Sequence, residues 1–195
     1  MASREDILIN LENRIFYLSG DITNETVGKV CFNILYLSHE DDKKEMSEIG
    51  FTRQPIHLYI HSFGGEAYDM WALIDVILNS KTPIYTYCTG YAMSAGFKIF
   101  LAGHKRFATQ HSTFMYHQMN CYRHGKYQDL VEDRVEMDYL QSANEKFIVE
   151  RTKITQAQLD ENKTKKQDWY MHFDEALALG VVTDILQTIQ NPKVL

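Results

Sequence analysis

The stretch from Ile84 to Gly103 limits most strongly what this chain can fold into. Ile84-Tyr85-Thr86-Tyr87-Cys88-Thr89 is an apolar run of strand length, and it reads as a buried strand. It leads directly into Gly90-Tyr91-Ala92-Met93-Ser94-Ala95-Gly96 and then into an apolar segment of helical length, Phe97 to Gly103. A serine among small residues at a strand-to-helix junction is held by a sharp turn. Its hydroxyl is then presented at a helix N-terminus, where free backbone N–H groups can stabilise developing negative charge. Small residues also build ordinary tight turns, so this segment alone leaves a nucleophile and a structural turn both open.

The rest of the chain extends this pattern. Arg14 to Leu18 reads as a short strand, and Thr23 or Asn24 caps a helix running through Val27, Val30, Ile34 and Leu37. His39 to Gly50 is polar and charged and reads as an exposed loop or frayed helix end. Pro55 introduces the strand Ile56-His57-Leu58-Tyr59-Ile60. After Ser62-Phe63-Gly64-Gly65, the residues Ala67, Met70, Trp71, Ile74, Ile77 and Leu78 share a helical face that ends at Lys81-Thr82-Pro83. Thr113-Phe114-Met115-Tyr116 is a further strand running into His117. Such alternation predicts a layered α/β domain.

The longest helix is expected from about Lys126 to Arg151, with Val131, Val135, Tyr139, Ala143 and Phe147 in an i, i+4 series. At 1.5 Å per residue it spans nearly 40 Å, roughly, which is long for a small domain and calls for a second subunit over part of its apolar face. Thr155-Gln156-Ala157-Gln158 has the form of a capping box, and Asp174 to Gly180 reads as a last helix closed by glycine.

Composition narrows the function classes. With 195 residues, 45% hydrophobic and 24% charged, and with no repeat or linker, the chain supports one domain, 1–195. A formal charge of −6 and the lack of a basic stripe argue against nucleic acid, and Lys163-Thr164-Lys165-Lys166 reads as a solvated loop. No apolar run approaches a membrane span, and Met1 to Asp6 lacks the apolar core of a leader. The three cysteines, Cys31, Cys88 and Cys121, have no metal-type spacing and suggest reduced thiols in a cytoplasmic protein.

Ser94 becomes a useful nucleophile near neutral pH only beside a base, and histidine has the suitable pKa. Ser94 ends one strand and His117 ends the next, so the two side chains meet if those strands are neighbours. Asp168, in Gln167-Asp168-Trp169-Tyr170, lies in the connection between two C-terminal helices and is placed to orient the histidine. Eight histidines allow other trios. His104 and His111 are rivals, but both fall in the polar turn after the serine helix. His57 and His61 sit in a strand, where a four-residue spacing does not favour a metal site. Gly64-Gly65 leaves unobstructed amides suited to an oxyanion hole, or forms a simple turn.

In combination these segments resemble the proteolytic subunit of the Clp protease family. Ser62-Phe63-Gly64-Gly65 is similar to that family's Ser-Pro-Gly-Gly turn, and Gly90 to Gly96 to its Gly-Met-Ala-Ala-Ser-Met-Gly segment. Met115-Tyr116-His117-Gln118 resembles Met-Ile-His-Gln, and Gln167-Asp168-Trp169-Tyr170 resembles Arg-Asp-x-Phe. Glu175-Ala176 through Gly180-Val181-Val182-Thr183-Asp184 follows the closing Glu-Ala…Gly-Leu-Ile-Asp pattern. The resemblance covers roughly residues 12 to 187 in order, and five weak motifs in sequence are together specific.

The resemblance implies a crotonase-like α/β fold with a head, 12–118 and 155–187, and a protruding handle helix within about 119–154. It implies a cytoplasmic serine endopeptidase with Ser94 as nucleophile, His117 as base and acid, and Asp168 as orienting partner. The backbone N–H groups of Gly65 and Ala95 form the oxyanion hole, and no metal or other cofactor is required. The implied partners are copies of the chain in heptameric rings, stacked in pairs as a tetradecamer, with peptide or unfolded protein as substrate. An AAA+ unfoldase feeds such rings, although the short segment before the first strand implies reduced axial loops. Three other departures point to a divergent member. Glu40 to Gln54 contains an insertion, Phe63 replaces proline, and Asn120 to Gly125 stands where the family has a glycine-rich, peptide-aligning strand. Alternatives are a non-catalytic ring paralogue, a Ser94–Lys98 dyad, and an acyl-CoA enzyme of the crotonase type.

Overall fold

The computed structural model describes residues 7–186. The Met1–Asp6 stretch read above for a leader, and residue 187 at the expected end of the head, lie outside the described residues.

Eight strands and six helices alternate along the described chain. They are β1 (Ile7–Asn10), β2 (Ile15–Ile22), α1 (Asn24–Ser47), β3 (Ile56–Gly65), α2 (Ala67–Leu78), β4 (Ile84–Met93) and α3 (Ala95–Ala102). There follow β5 (Lys105–Ala108), β6 (Thr113–Tyr116), α4 (Tyr127–Arg151), α5 (Gln156–Lys165), β7 (Trp169–His172), α6 (Phe173–Ala178) and β8 (Asp184–Ile185). The expected α/β layering is present. β2, β3, β4, β5 and β8 are parallel neighbours, and β1 joins β2 as an antiparallel hairpin.

The parallel strands are covered by helices, as such sheets require. Phe16, Leu18, Leu58, Ile60 and Cys88 are buried in one core with Val30 and Ile34 of α1, Leu73, Ile74 and Ile77 of α2, and Phe97 and Phe100 of α3. The pleat sends the intervening residues to the opposite face. There Tyr17, Tyr59, Tyr87 and Phe107 form one row across four strands, with stacked neighbours 6.4, 4.6 and 4.9 Å apart.

One departure from a simple sheet positions the site. β4 pairs with β5 along Tyr85–Cys88, then with β6 along Tyr91–Met93. Both pairings are parallel, so the distal end of β4 lies beside the end of β6. β6 in turn pairs antiparallel with β7, Tyr116 facing Trp169.

The fold corrects or refines several expectations. Of His39 to Gly50, read as a loop or frayed helix end, most is helix: α1 continues to Ser47, where Asp41 is buried and accepts from both guanidinium nitrogens of Arg14 (2.8 and 2.6 Å) and from Thr82 Oγ1 (2.7 Å). Asp168 lies in the connection between α5 and α6 as expected, but Trp169 and Tyr170 within that connection form the start of β7. The stretch after α3 is not all turn, since it holds β5. Of the i, i+4 series on α4 only Phe147 is fully buried, while Val131, Val135 and Tyr139 are exposed and Leu140 and Ile148 form the packed side. The expected caps are present. Thr23 and Thr26 bond reciprocally at the start of α1, and Thr155 and Gln158 do so at the start of α5. α4 lies inside the stretch expected as a handle, and residues 117–124 before it have no regular structure.

Candidate active site

The site starts from a backbone distortion. Ser94 sits between β4 and α3 at φ 52°, ψ −116°, a region side chains other than glycine rarely occupy. Its amide is held by the carbonyl of Met115 in β6 at 2.9 Å, so the neighbouring strand fixes the turn. A strand-to-helix turn of this kind lifts the serine Oγ clear of both elements. Ala95 is the first residue of α3, so its N–H has no acceptor within the helix.

His117 follows β6 by one residue, and its Nε2 lies 2.8 Å from Ser94 Oγ. That distance is a good hydrogen bond, and with Nε2 unprotonated the imidazole accepts the hydroxyl proton. The rivals are elsewhere. His104 Nδ1 bonds the backbone of Ile84 at the opposite end of β4, about 30 Å from Ser94 along a ten-residue strand. His111 is exposed in the turn before β6. His57 Nδ1 bonds the Tyr87 hydroxyl at 2.7 Å, within the aromatic row.

Asp168 lies one position beyond the Tyr116–Trp169 pair, which is the position facing His117 across the β6–β7 ladder. It is exposed and makes no hydrogen bond or ion pair with any described residue. Ser94 and His117 are therefore joined, and Asp168 is near in register without being bonded to the imidazole.

The glycine turn at the end of β3 packs against the serine. Gly64 has φ +117°, and a Cβ there would stand 2.7 Å from Ser94 Cβ and 3.0 Å from the Ala95 nitrogen. Only glycine lets these backbones approach so closely. Ser62 Oγ accepts from the Gly64 amide at 3.1 Å and steadies the turn. Gly65 and Ala95 both border the cleft into which Ser94 opens.

That cleft has a volume of about 440 Å³. One wall is the Ser94–His117 pair, and the facing wall comes from α4, through Glu136, Met137, Leu140 and Asn144. Tyr68 donates to Glu136 at 2.9 Å and bridges the start of α2 to this helix. Sequence reasoning missed the α4 contribution; the signal for it was Leu140 and Asn144, four apart on a face left out of the exposed series. Lys98 also borders the cleft. It is only 4% exposed, and burial pushes its pKa down to about 8. Its backbone N–H donates to the Ser94 carbonyl at 3.3 Å, but its ammonium makes no hydrogen bond to Ser94, so among the described residues Ser94 Oγ is engaged by the histidine alone. No group of three His, Cys, Asp or Glu side chains among the described residues is placed to hold a metal ion.

Comparison with known proteins gives a consistent likeness. The sequence model of the Clp protease family matches residues 3–189. An ATP-dependent Clp protease proteolytic subunit 1 from Prochlorococcus marinus subsp. pastoris is 30% identical over 179 residues, covering 90% of this chain and 85% of that protein. A proteolytic subunit 2 from a Synechococcus species is 28% identical over 178 residues, covering 90% of this chain and 84% of that one. No helix among the described residues is long and apolar enough to cross a membrane.

Proposed function

Because the chain belongs to the Clp protease family and has its α/β fold, we propose that it is a serine endopeptidase acting inside an oligomeric chamber. The observation that carries this reading is the 2.8 Å contact between His117 Nε2 and Ser94 Oγ, made at a distorted turn beside a glycine corner. His117 takes the Ser94 proton as Oγ attacks the peptide carbonyl carbon. The resulting oxyanion is met by the amides of Gly65 and Ala95, whose position at the cleft edge suits that task. Collapse breaks the C–N bond as His117 gives its proton to the leaving nitrogen, and the acyl group remains on Ser94 as an ester. Water then attacks the ester, its proton passing to His117 and on to Ser94 Oγ.

Asp168 enters this scheme from across the β6–β7 ladder. Rotation of its carboxylate toward His117 Nδ1 completes the trio when the subunit is assembled. The chemistry draws on no metal or organic cofactor. Copies of the chain form rings that stack through α4, and an ATP-dependent unfoldase delivers unfolded protein to them. A full Ser–His pair speaks against the non-catalytic paralogue.

Ser94→Ala tests the assignment. The variant should keep its fold and assembly while fluorophosphonate labelling and peptide cleavage fall to background. Undiminished cleavage would remove Ser94 from the mechanism.

A further inference from the structure

Lys98 stands on α3 four residues after Ser94, one helical turn further along and on the same side. It is almost wholly enclosed, yet its ammonium makes no hydrogen bond or ion pair with any described residue. Burial pushes its pKa down to about 8, with no acidic group contributing an opposing pull. A buried cation without a counter-charge is costly, by several kcal/mol or so, and a well-packed apolar residue would be cheaper for folding alone. Of the three acidic side chains bordering the cleft, Glu136 is engaged by the Tyr68 hydroxyl and Asp133 by Arg123 at 3.8 Å, while Glu66 is exposed, and none of the three bonds Lys98.

A second group points the same way. Asn144 is 1% exposed and borders the same cleft. Its amide nitrogen meets only the weak acceptor Met119 Sδ, at 3.1 Å, and its Oδ1 has no partner. Two buried polar side chains beside the nucleophile are thus left without adequate partners, among the apolar Met70, Met119 and Leu140.

We propose that Lys98 is the specificity-determining residue of the cleft, and that it selects peptides with an acidic side chain on the residue whose carbonyl Ser94 attacks. This inference rests on the serine peptidase reading given above. The acyl residue is pinned at Ser94, so its side chain must enter the cleft beside α3. One turn of helix rises about 5.4 Å, a span that a glutamate and a lysine bridge together. The carboxylate accepts from the Lys98 ammonium, and the Asn144 side-chain amide lies on the same wall to take a further hydrogen bond. Glutamate fits this reach better than aspartate. A neutral or basic side chain leaves the cation unpaired.

The test uses the purified full-length assembly. Fluorophosphonate labelling of Ser94 reports the nucleophile without any acidic group, and a panel of peptidyl-aminocoumarins varied only at the terminal residue (Glu, Asp, Gln, Leu, Phe, Lys) reports selection. Glu is expected to exceed Gln in kcat/KM by at least about tenfold, chiefly through KM. Lys98→Met should lose that preference and turn toward Leu, whereas Lys98→Arg should keep part of it. Labelling with a flat profile, or with Leu or Phe preferred by the unaltered protein, overturns this inference alone. Absence of labelling overturns the peptidase reading and this inference with it.

Discussion

At Ser94 the positive φ costs roughly 1–3 kcal/mol, and the surrounding contacts hold it there. Those contacts are the Met115 carbonyl on one side and Gly64 on the other. Gly64→Ala should therefore act on both stability and rate. Its Cβ would have to displace Ser94 Cβ from 2.7 Å, and alanine at φ +117° is itself strained. We expect a loss of about 1–3 kcal/mol in stability. A nucleophile shifted by about 1 Å should lower kcat/KM by ~100-fold. Gly28→Ala is the matched control: it lies in α1, a Cβ there meets nothing within 4 Å, and the change should stabilise by about 0.5–1 kcal/mol. Thermal melting together with fluorogenic peptide turnover separates the two, and equal behaviour of both variants would contradict the close approach.

The length of α1 depends on charged groups that its own sequence does not explain. Asp41 is 1% exposed. Burial alone would raise its pKa, but hydrogen bonds from Arg14 and Thr82, with the charges of Arg14 and Arg53, outweigh it and hold the carboxyl below its ordinary value. A depressed carboxylate pKa gives stability that is complete above the unfolded value near 3.8 and is lost as pH falls through the lower folded value. Asp41→Asn should cost about 3 kcal/mol at pH 7, because Arg14 is left without its charge partner. Denaturant unfolding at pH 7 and at about pH 3 should show that gap narrowing in acid, since below 3.8 the unfolded parent chain takes up a proton on Asp41 and is favoured by it; a constant gap would contradict the pairing. The same residues explain what could be read in advance. β4, α3 and the caps at Thr23 and Thr155 were legible because local pattern and local chemistry agree there. The second half of α1 was not, since Arg14 and Thr82 reach Asp41 from 27 and 41 residues away. β7 was missed for a related reason: Trp169 to His172 becomes a strand by pairing with β6, not by any alternation of its own. Ser94 and His117 were legible as strand ends, whereas the weakly bonded Asn144 became visible only when α4 closed the cleft.

For the molecule as a whole, α4 carries two jobs on two faces. Asp133, Glu136, Met137, Leu140 and Asn144 share the stripe that borders the cleft, at helical spacings of three and four. Val131, Val135 and Tyr139 form a second stripe, about 160° around the helix and so nearly on its opposite face. Val135 and Tyr139 are 66% and 68% exposed, and their neighbour Tyr127 is 82% exposed. An exposed apolar ridge on a helix whose buried residues all lie from Leu140 onward gains most by meeting the same ridge of another copy. Under the proposed ring assembly that contact joins ring to ring, and it also fixes the outer part of the cleft wall. Val135→Asp with Tyr139→Asp should place unpaired carboxylates in the contact and split stacked rings into single rings, halving the particle mass in sedimentation velocity. Peptide turnover should fall with it, because Glu136 and Met137 lose the support that holds them opposite Ser94. If the mass stays unaltered while the variant is folded, the ridge is not the ring-to-ring contact. If the mass halves with full turnover, the two faces of α4 act independently.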